Sequence, residues 1–167
     1  MTLAHPFQTC SPETFDLLLR GSRIVFWTVL ALFAYVRYTS MPRKISPDAI
    51  LGMLPDKAGA VGFWAGFDYL FMPAYTFFFS ICCVWAAGQF LPGSFWYNLG
   101  IALAWLQILQ LLLDMAENYC MWQLTLGKRG AALERRYRFF AKAKIPLFAS
   151  AAMYALAVSV LVWTKVI

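Results

Sequence analysis

Carboxyl and amide side chains recur inside two of the most apolar stretches of this 167-residue chain. Asp68 interrupts one of these stretches. At about 100° per residue, the polar side chains of the other fall within an arc of about 100° on one helix face. They are Gln107, Gln110, Asp114, Glu117 and Asn118. Polar groups in hydrocarbon need partners, so this face must look into a helix bundle rather than at lipid.

A second stripe predicts where those partners lie. Trp64, Asp68, Met72 and Tyr75 follow one another at helical spacings of four, four and three. Helix geometry places the acids of both stripes about 14 to 18 Å from the predicted cytoplasmic ends of their helices, in one shared layer. A snorkelling lysine could reach that layer from the start of the last apolar stretch. The predicted polar network contains Asp68, Tyr75, Gln107, Gln110, Asp114, Glu117, Asn118, Lys142 and Lys144.

Three carboxyl groups cannot remain charged and unpaired in hydrocarbon. Each charge near the bilayer centre costs roughly 2.5 to 3.5 kcal/mol. The expected remedies are ion pairing, protonation of at least one carboxyl group, or a bound cation or water chain. An alternative is a purely structural network that sets helix register.

Four apolar stretches carry these side chains, at about residues 22–38, 58–87, 95–126 and 145–163. The first could begin earlier, at Phe15 to Leu19. A span needs about 20 residues, and the chain is 62% hydrophobic and only 13% charged. The sequence therefore predicts one all-α domain over residues 1–167, an integral membrane four-helix up-down bundle.

The charge of the connections predicts an orientation. Eleven Lys and Arg flank or fill the first and third connections: Arg37, Arg43, Lys44, Lys57, Lys128, Arg129, Arg135, Arg136, Arg138, Lys142 and Lys144. Three lie on the other side: Arg20, Arg23 and Lys165. The positive-inside rule then predicts that both termini lie outside and that the basic loops lie in the cytoplasm. These basic residues cluster between apolar runs, and this distribution argues against nucleic-acid binding.

Other motifs add few functional predictions. His5 is the single histidine and is expected to be a solvated tail residue, so we predict no metal site and no cofactor. Cys10 could pair with Cys82 or Cys83 in an oxidising compartment. Gly62 and Gly66, one turn apart, predict a helix-packing face, in this bundle or toward a homo-oligomer or another membrane protein.

Two runs carry a family resemblance: Phe67 to Tyr75, with Asp68, Pro73 and Tyr75, and Leu113 to Asn118, with Asp114, Glu117 and Asn118. With a late lysine, Lys142 or Lys144, they resemble an uncharacterised group of small four-helix prokaryotic membrane proteins over about residues 60 to 150. The pattern is Asp-x4-Pro-x-Tyr, Asp-x2-Glu-Asn and the lysine. The resemblance implies a prokaryotic inner-membrane location and a shared site, and it supplies no reaction.

The chain is also loosely similar to emopamil-binding-type sterol isomerases and receptors, compact membrane bundles with buried acids and a ligand cavity. That resemblance implies a His and a Trp in the pocket. The single histidine, His5, lies in the N-terminal tail. This departure counts against isomerase chemistry.

Three functions fit these features. The first is binding or transport of a proton, a cation or an amphipathic small molecule. The second is a membrane enzyme that acts on a lipid-like substrate, with Asp114 or Glu117 as general acid or base. The third is a structural subunit of a larger membrane complex. The lipid bilayer is the one partner that all three require.

Overall fold

The computed structural model describes residues 5–40, 55–128 and 130–166, and the side chains of these residues except 36, 37, 39, 40 and 55–65. Four long helices form an up-down bundle: α1 (Pro12–Ser40), α2 (Pro55–Ala87), α3 (Phe95–Thr125) and α4 (Ala131–Trp163). Each contains a stretch long and apolar enough to cross a bilayer. The predicted fold class is therefore confirmed.

Tight turns make the last three helices antiparallel neighbours. Between α2 and α3, Gly93 adopts φ +84° and the Ser94 hydroxyl accepts a hydrogen bond from the Tyr97 amide at 3.3 Å. Between α3 and α4, Gly127 adopts φ +76°. These left-handed conformations suit glycine, which has no side chain to clash with the backbone.

Two helix starts differ from the sequence-based prediction. The structure begins α1 at Pro12, before the predicted residue 22, and α4 at Ala131 rather than at Ile145. Residues 131–144, most of the basic segment that was expected to be a loop, are helical. Charge there lowers hydropathy without interrupting a helix, because Lys and Arg are good helix formers.

α2 organises the packing, since it contacts α1, α3 and α4, whereas α1 packs principally on α2. Small residues bring α2, α3 and α4 together near the α2–α3 turn. Ala86, Ala87, Ala104 and Ala151 are fully buried there. Farther along, larger side chains meet: Phe26 of α1 stacks on Phe78 of α2, with ring centroids 4.4 Å apart.

The prediction that His5 is a solvated tail residue is wrong, because only 4% of the residue is exposed. A short 3₁₀ helix, Pro6–Thr9, folds the N-terminal segment against the bundle. The His5 ring lies edge-on to Trp105 of α3, with centroids 5.0 Å apart. Gln8 Nε2 donates to the Tyr97 hydroxyl at 2.5 Å. A single histidine in a polar segment gave no sequence pattern for these contacts.

Candidate functional site

Asp114 of α3 lies at the centre of a polar cluster and is only 4% exposed. The Tyr75 hydroxyl of α2 donates a hydrogen bond to its Oδ2 atom. The Lys144 ammonium of α4 donates to its Oδ1 atom. One carboxylate therefore joins three helices, and both of its oxygens have charged or hydroxyl donors.

Lys144 also forms an ion pair with Glu117, one helical turn after Asp114 on α3. Its Nζ thus bridges two carboxylates on the same helix face. This pairing relieves the repulsion between like charges that their spacing creates. Between the two candidate late lysines, the structure brings Lys144 to the acids, whereas Lys142 is exposed.

Asp68 of α2 is held differently. Its Oδ2 atom accepts a hydrogen bond from the Asn118 side-chain amide at 2.8 Å. Among the described side chains, no Lys or Arg forms an ion pair with it. Asp68 is thus anchored by a neutral donor, whereas Asp114 and Glu117 share an ammonium group.

These groups line one cavity of about 610 Å³, which we call the acid cavity. All four helices contribute to it. The polar wall consists of Asp68, Tyr75, Gln110, Asp114, Glu117, Asn118, Tyr137 and Lys144. The apolar wall consists of Phe26, Leu30, Phe33, Phe71, Met121, Ile145 and Phe148.

The two glutamines of the predicted network differ in position. Gln110 lines the acid cavity, is 2% exposed, and its Oε1 atom has no hydrogen-bond partner among the described residues. Gln107 lies one turn earlier on α3, is fully buried, and donates to the Leu103 carbonyl at 3.3 Å. Gln107 is not part of the cavity wall.

Sequence reasoning missed most of the apolar wall and also Tyr137. On α1, Phe26, Leu30 and Phe33 follow a four-and-three spacing that puts them on one helix face. Tyr137 precedes Lys144 by two helical turns on the same face. The spacing of Tyr137 and Lys144 indicates a shared face only if α4 begins at Ala131, whereas the sequence-based prediction placed Tyr137 in a loop.

Charge in the acid cavity is unbalanced. Three carboxyl groups face one ammonium group among its described lining residues. Lys144 can offset one formal negative charge, so the lining residues retain an excess of acceptors. Within the described ranges, no three His, Cys, Asp or Glu side chains converge as a metal site would require.

A smaller cavity of about 290 Å³ lies beside the N-terminal segment. His5, Phe7, Thr76, Ser80 and Trp105 contribute to its wall. Burial lowers the pKa of His5 below its ordinary value of 6.5. His5 and Trp105 therefore lie together, but outside the acid cavity.

The cysteines are free thiols in the structure, so Cys10 pairs with neither Cys82 nor Cys83. Cys10 Sγ approaches the Pro6 carbonyl at 3.9 Å. Cys83 is buried and donates to the Ala151 carbonyl at 3.8 Å. Cys120 of α3 is also a buried free thiol.

The fold and the buried carboxyl groups establish a multi-pass membrane protein with four candidate spans. No family model, curated protein or solved structure matches the chain. The four-helix part of the resemblance is confirmed, and membership of the resembled group stays a prediction. The functional argument therefore depends on the acid cavity itself.

Proposed function

We propose that this protein binds a small amphipathic molecule with an ammonium group inside the membrane. One observation carries the proposal: the acid cavity has surplus carboxylates on one wall and phenylalanine rings on the other. Its volume of about 610 Å³ lies in the range usual for small-molecule sites. A cation at the polar wall would offset the excess of negative charge.

Asp68 is the residue that we propose binds the ammonium group of the ligand. Its carboxylate accepts a hydrogen bond from the Asn118 amide and forms no ion pair with a described Lys or Arg side chain. A charge-assisted hydrogen bond to a ligand N–H would be short and strong in this setting. Gln110 Oε1, buried and without a partner, offers a further acceptor on the same wall. Carboxylate and amide acceptors together favour an ammonium that donates hydrogen bonds.

The apolar wall suits a hydrocarbon tail. Phe26 and Phe33 of α1 face the same cavity as Ile145 and Phe148 of α4. α1 packs principally on α2, so the α1 and α4 walls flank the cavity. Ile145 and Phe148 are also exposed, on a helix long and apolar enough to span the bilayer. We infer that the ligand enters from the bilayer between α1 and α4.

Binding of tritiated dodecylamine to the protein in lipid nanodiscs tests this proposal, with empty nanodiscs as background. Dodecanol is the matched neutral competitor. Asp68→Asn keeps the size of the side chain and removes its charge, so we expect affinity for dodecylamine to fall about tenfold or more. Asp16→Asn is the control, because Asp16 forms an exposed ion pair with Arg20 at 2.8 Å.

Two results would overturn the proposal. One is displacement of dodecylamine by dodecanol at equal concentration, which would show that the site does not recognise charge. The other is equal affinity in Asp68→Asn and Asp16→Asn. Either result would leave the cavity as a generic lipid-binding crevice.

Acid–base catalysis on a lipid-like substrate is the second candidate. The observation that favours it is the chain of contacts Tyr75–Asp114–Lys144–Glu117 along the cavity wall. Hydrogen-bonded groups of this kind can move a proton to or from a bound molecule. A deletion strain whose lipid extract is altered, and is restored by wild type but not by Glu117→Gln, would favour the enzyme. Identical extracts would exclude it.

A further inference from the structure

Lys144 occupies a position that a ligand ammonium could otherwise take. Its Nζ contacts Asp114 Oδ1 and Glu117 Oε2, which lie one turn apart on α3. The lysine comes from α4, so its cation is supplied by the protein itself. The acid cavity therefore has one cation position that Lys144 fills, beside the position proposed at Asp68.

We propose that Lys144 is a tethered ammonium ligand that restricts the acid cavity to amphiphiles with a single cationic group. This inference rests on the proposed function. With Lys144 in place, a second ammonium on the ligand finds the Asp114–Glu117 position already filled. Without the Lys144 charge, both positions are open and a ligand with two ammonium groups can pair at each.

The surrounding groups support a specific role for this side chain. Tyr75 already donates to Asp114 Oδ2, and Lys144 gives the other oxygen, Oδ1, its donor. On α4, Tyr137 lines the same cavity and carries no positive charge. Lys142 is exposed and is not part of the cavity wall. Among the described lining residues, Lys144 is the one basic side chain.

The test compares two ligands of equal tail length in nanodiscs: dodecylamine and N-dodecylpropane-1,3-diamine. In wild type we expect the diamine to bind about tenfold more weakly than dodecylamine, because its second ammonium finds the Asp114–Glu117 position already filled by Lys144. In Lys144→Met we expect the diamine to be preferred about tenfold or more, since a second charge-assisted pair becomes available. If Lys144→Met acted only by making the cavity more negative, the monoamine would also bind more tightly. The ratio of diamine to monoamine affinity would then rise less.

Three further variants complete the design. Lys144→Gln repeats the test with a polar side chain, in case Lys144→Met fails to fold. Lys144→Arg keeps a cation beside Asp114 and Glu117, so the ratio of diamine to monoamine affinity should stay that of wild type. Lys142→Met removes an exposed charge from the same helix and should also leave the preference unchanged.

An unchanged ratio of diamine to monoamine affinity in Lys144→Met and Lys144→Gln would overturn the assignment of Lys144. A raised ratio in Lys142→Met would do the same. Asp68→Asn, measured in parallel, separates this inference from the proposed function. Loss of dodecylamine binding there supports the proposed function whatever the Lys144 variants show, and unchanged binding overturns it.

Discussion

At the scale of single residues, Asp114 depends on donors from two other helices. The Tyr75 hydroxyl and the Lys144 ammonium each bind one of its oxygens. A buried carboxylate without such partners would destabilise the folded protein by the full free-energy cost of its desolvation. Removing either donor is therefore expected to destabilise the bundle.

Tyr75→Phe should destabilise the protein by about 1.5 to 3 kcal/mol, because it removes a hydrogen bond to a charged group. Thermal unfolding in detergent, followed by circular dichroism, measures this. Tyr69→Phe is the matched control, since the Tyr69 hydroxyl makes only a long contact of 3.4 Å with the Met115 carbonyl. Equal stability of the two variants would contradict the importance of the Asp114 bond.

At the scale of elements, one close approach holds α4 against α3. A Cβ atom on Gly100 would lie 2.5 Å from the Tyr154 hydroxyl oxygen. That hydroxyl donates to the Trp96 carbonyl at 2.9 Å. A glycine at this point lets the Tyr154 ring lie directly against the backbone of α3.

Gly100→Ala should therefore cost about 1 to 3 kcal/mol, as overpacking of a core does. Gly21→Ala in α1 is the control, since no atom lies within 4 Å of the Cβ it would add. In a thermal melt, we expect only the first variant to unfold earlier. Equal melting temperatures would show that Tyr154 can move aside without loss.

The N-terminal segment gives a pH prediction. Because the pKa of His5 is lower in the folded protein than its ordinary value of 6.5, protonation favours the unfolded segment. The contribution of neutral, buried His5 to stability is complete above about pH 6.5, the pKa in the unfolded chain. It is lost as the pH falls through the lower pKa of His5 in the folded protein. His5→Asn cannot titrate, so the melting temperature of wild type should fall more than that of the variant between about pH 8 and about pH 5. Parallel curves would contradict the burial of His5.

Sequence analysis predicted the four helices and most of the polar wall, for reasons visible in particular residues. Asp68 and Asp114 interrupt apolar runs, so hydrocarbon itself makes them conspicuous. Phe26 and Phe148 look like any lipid-facing residues, and only the arrangement of helices shows that they line a cavity. Tyr137 was missed because charge in the first turns of α4 resembled a loop.

At the scale of the whole molecule, the bundle exposes apolar side chains over its membrane-spanning helices. Ile24, Trp27 and Leu156 are among the exposed hydrophobic residues. Such a surface is stable only in lipid. The small stripe of Gly62 and Gly66 stays a predicted packing face: the structure leaves open space around Gly66, and the surroundings of Gly62 lie outside the described side chains.

The orientation also stays a prediction, with a direct test. In a cysteine-free background, Leu91→Cys places a thiol in the α2–α3 turn, where Leu91 is 82% exposed. Lys128→Cys places one in the basic α3–α4 turn. Because the positive-inside rule puts basic turns in the cytoplasm, a membrane-impermeant maleimide should label only Leu91→Cys in intact cells. Labelling of Lys128→Cys alone would show that the protein has the opposite orientation.

The central claim is that a ligand ammonium lies at Asp68 with its tail along the phenylalanine wall. A crystal structure grown in lipid with 12-bromododecylamine tests it most directly, because anomalous scattering locates the bromine independently of lipid density. We predict the bromine among Phe26, Phe33 and Phe148, and the nitrogen within hydrogen-bond distance of Asp68. A bromine signal outside the acid cavity, or a nitrogen directed away from Asp68, would contradict the account.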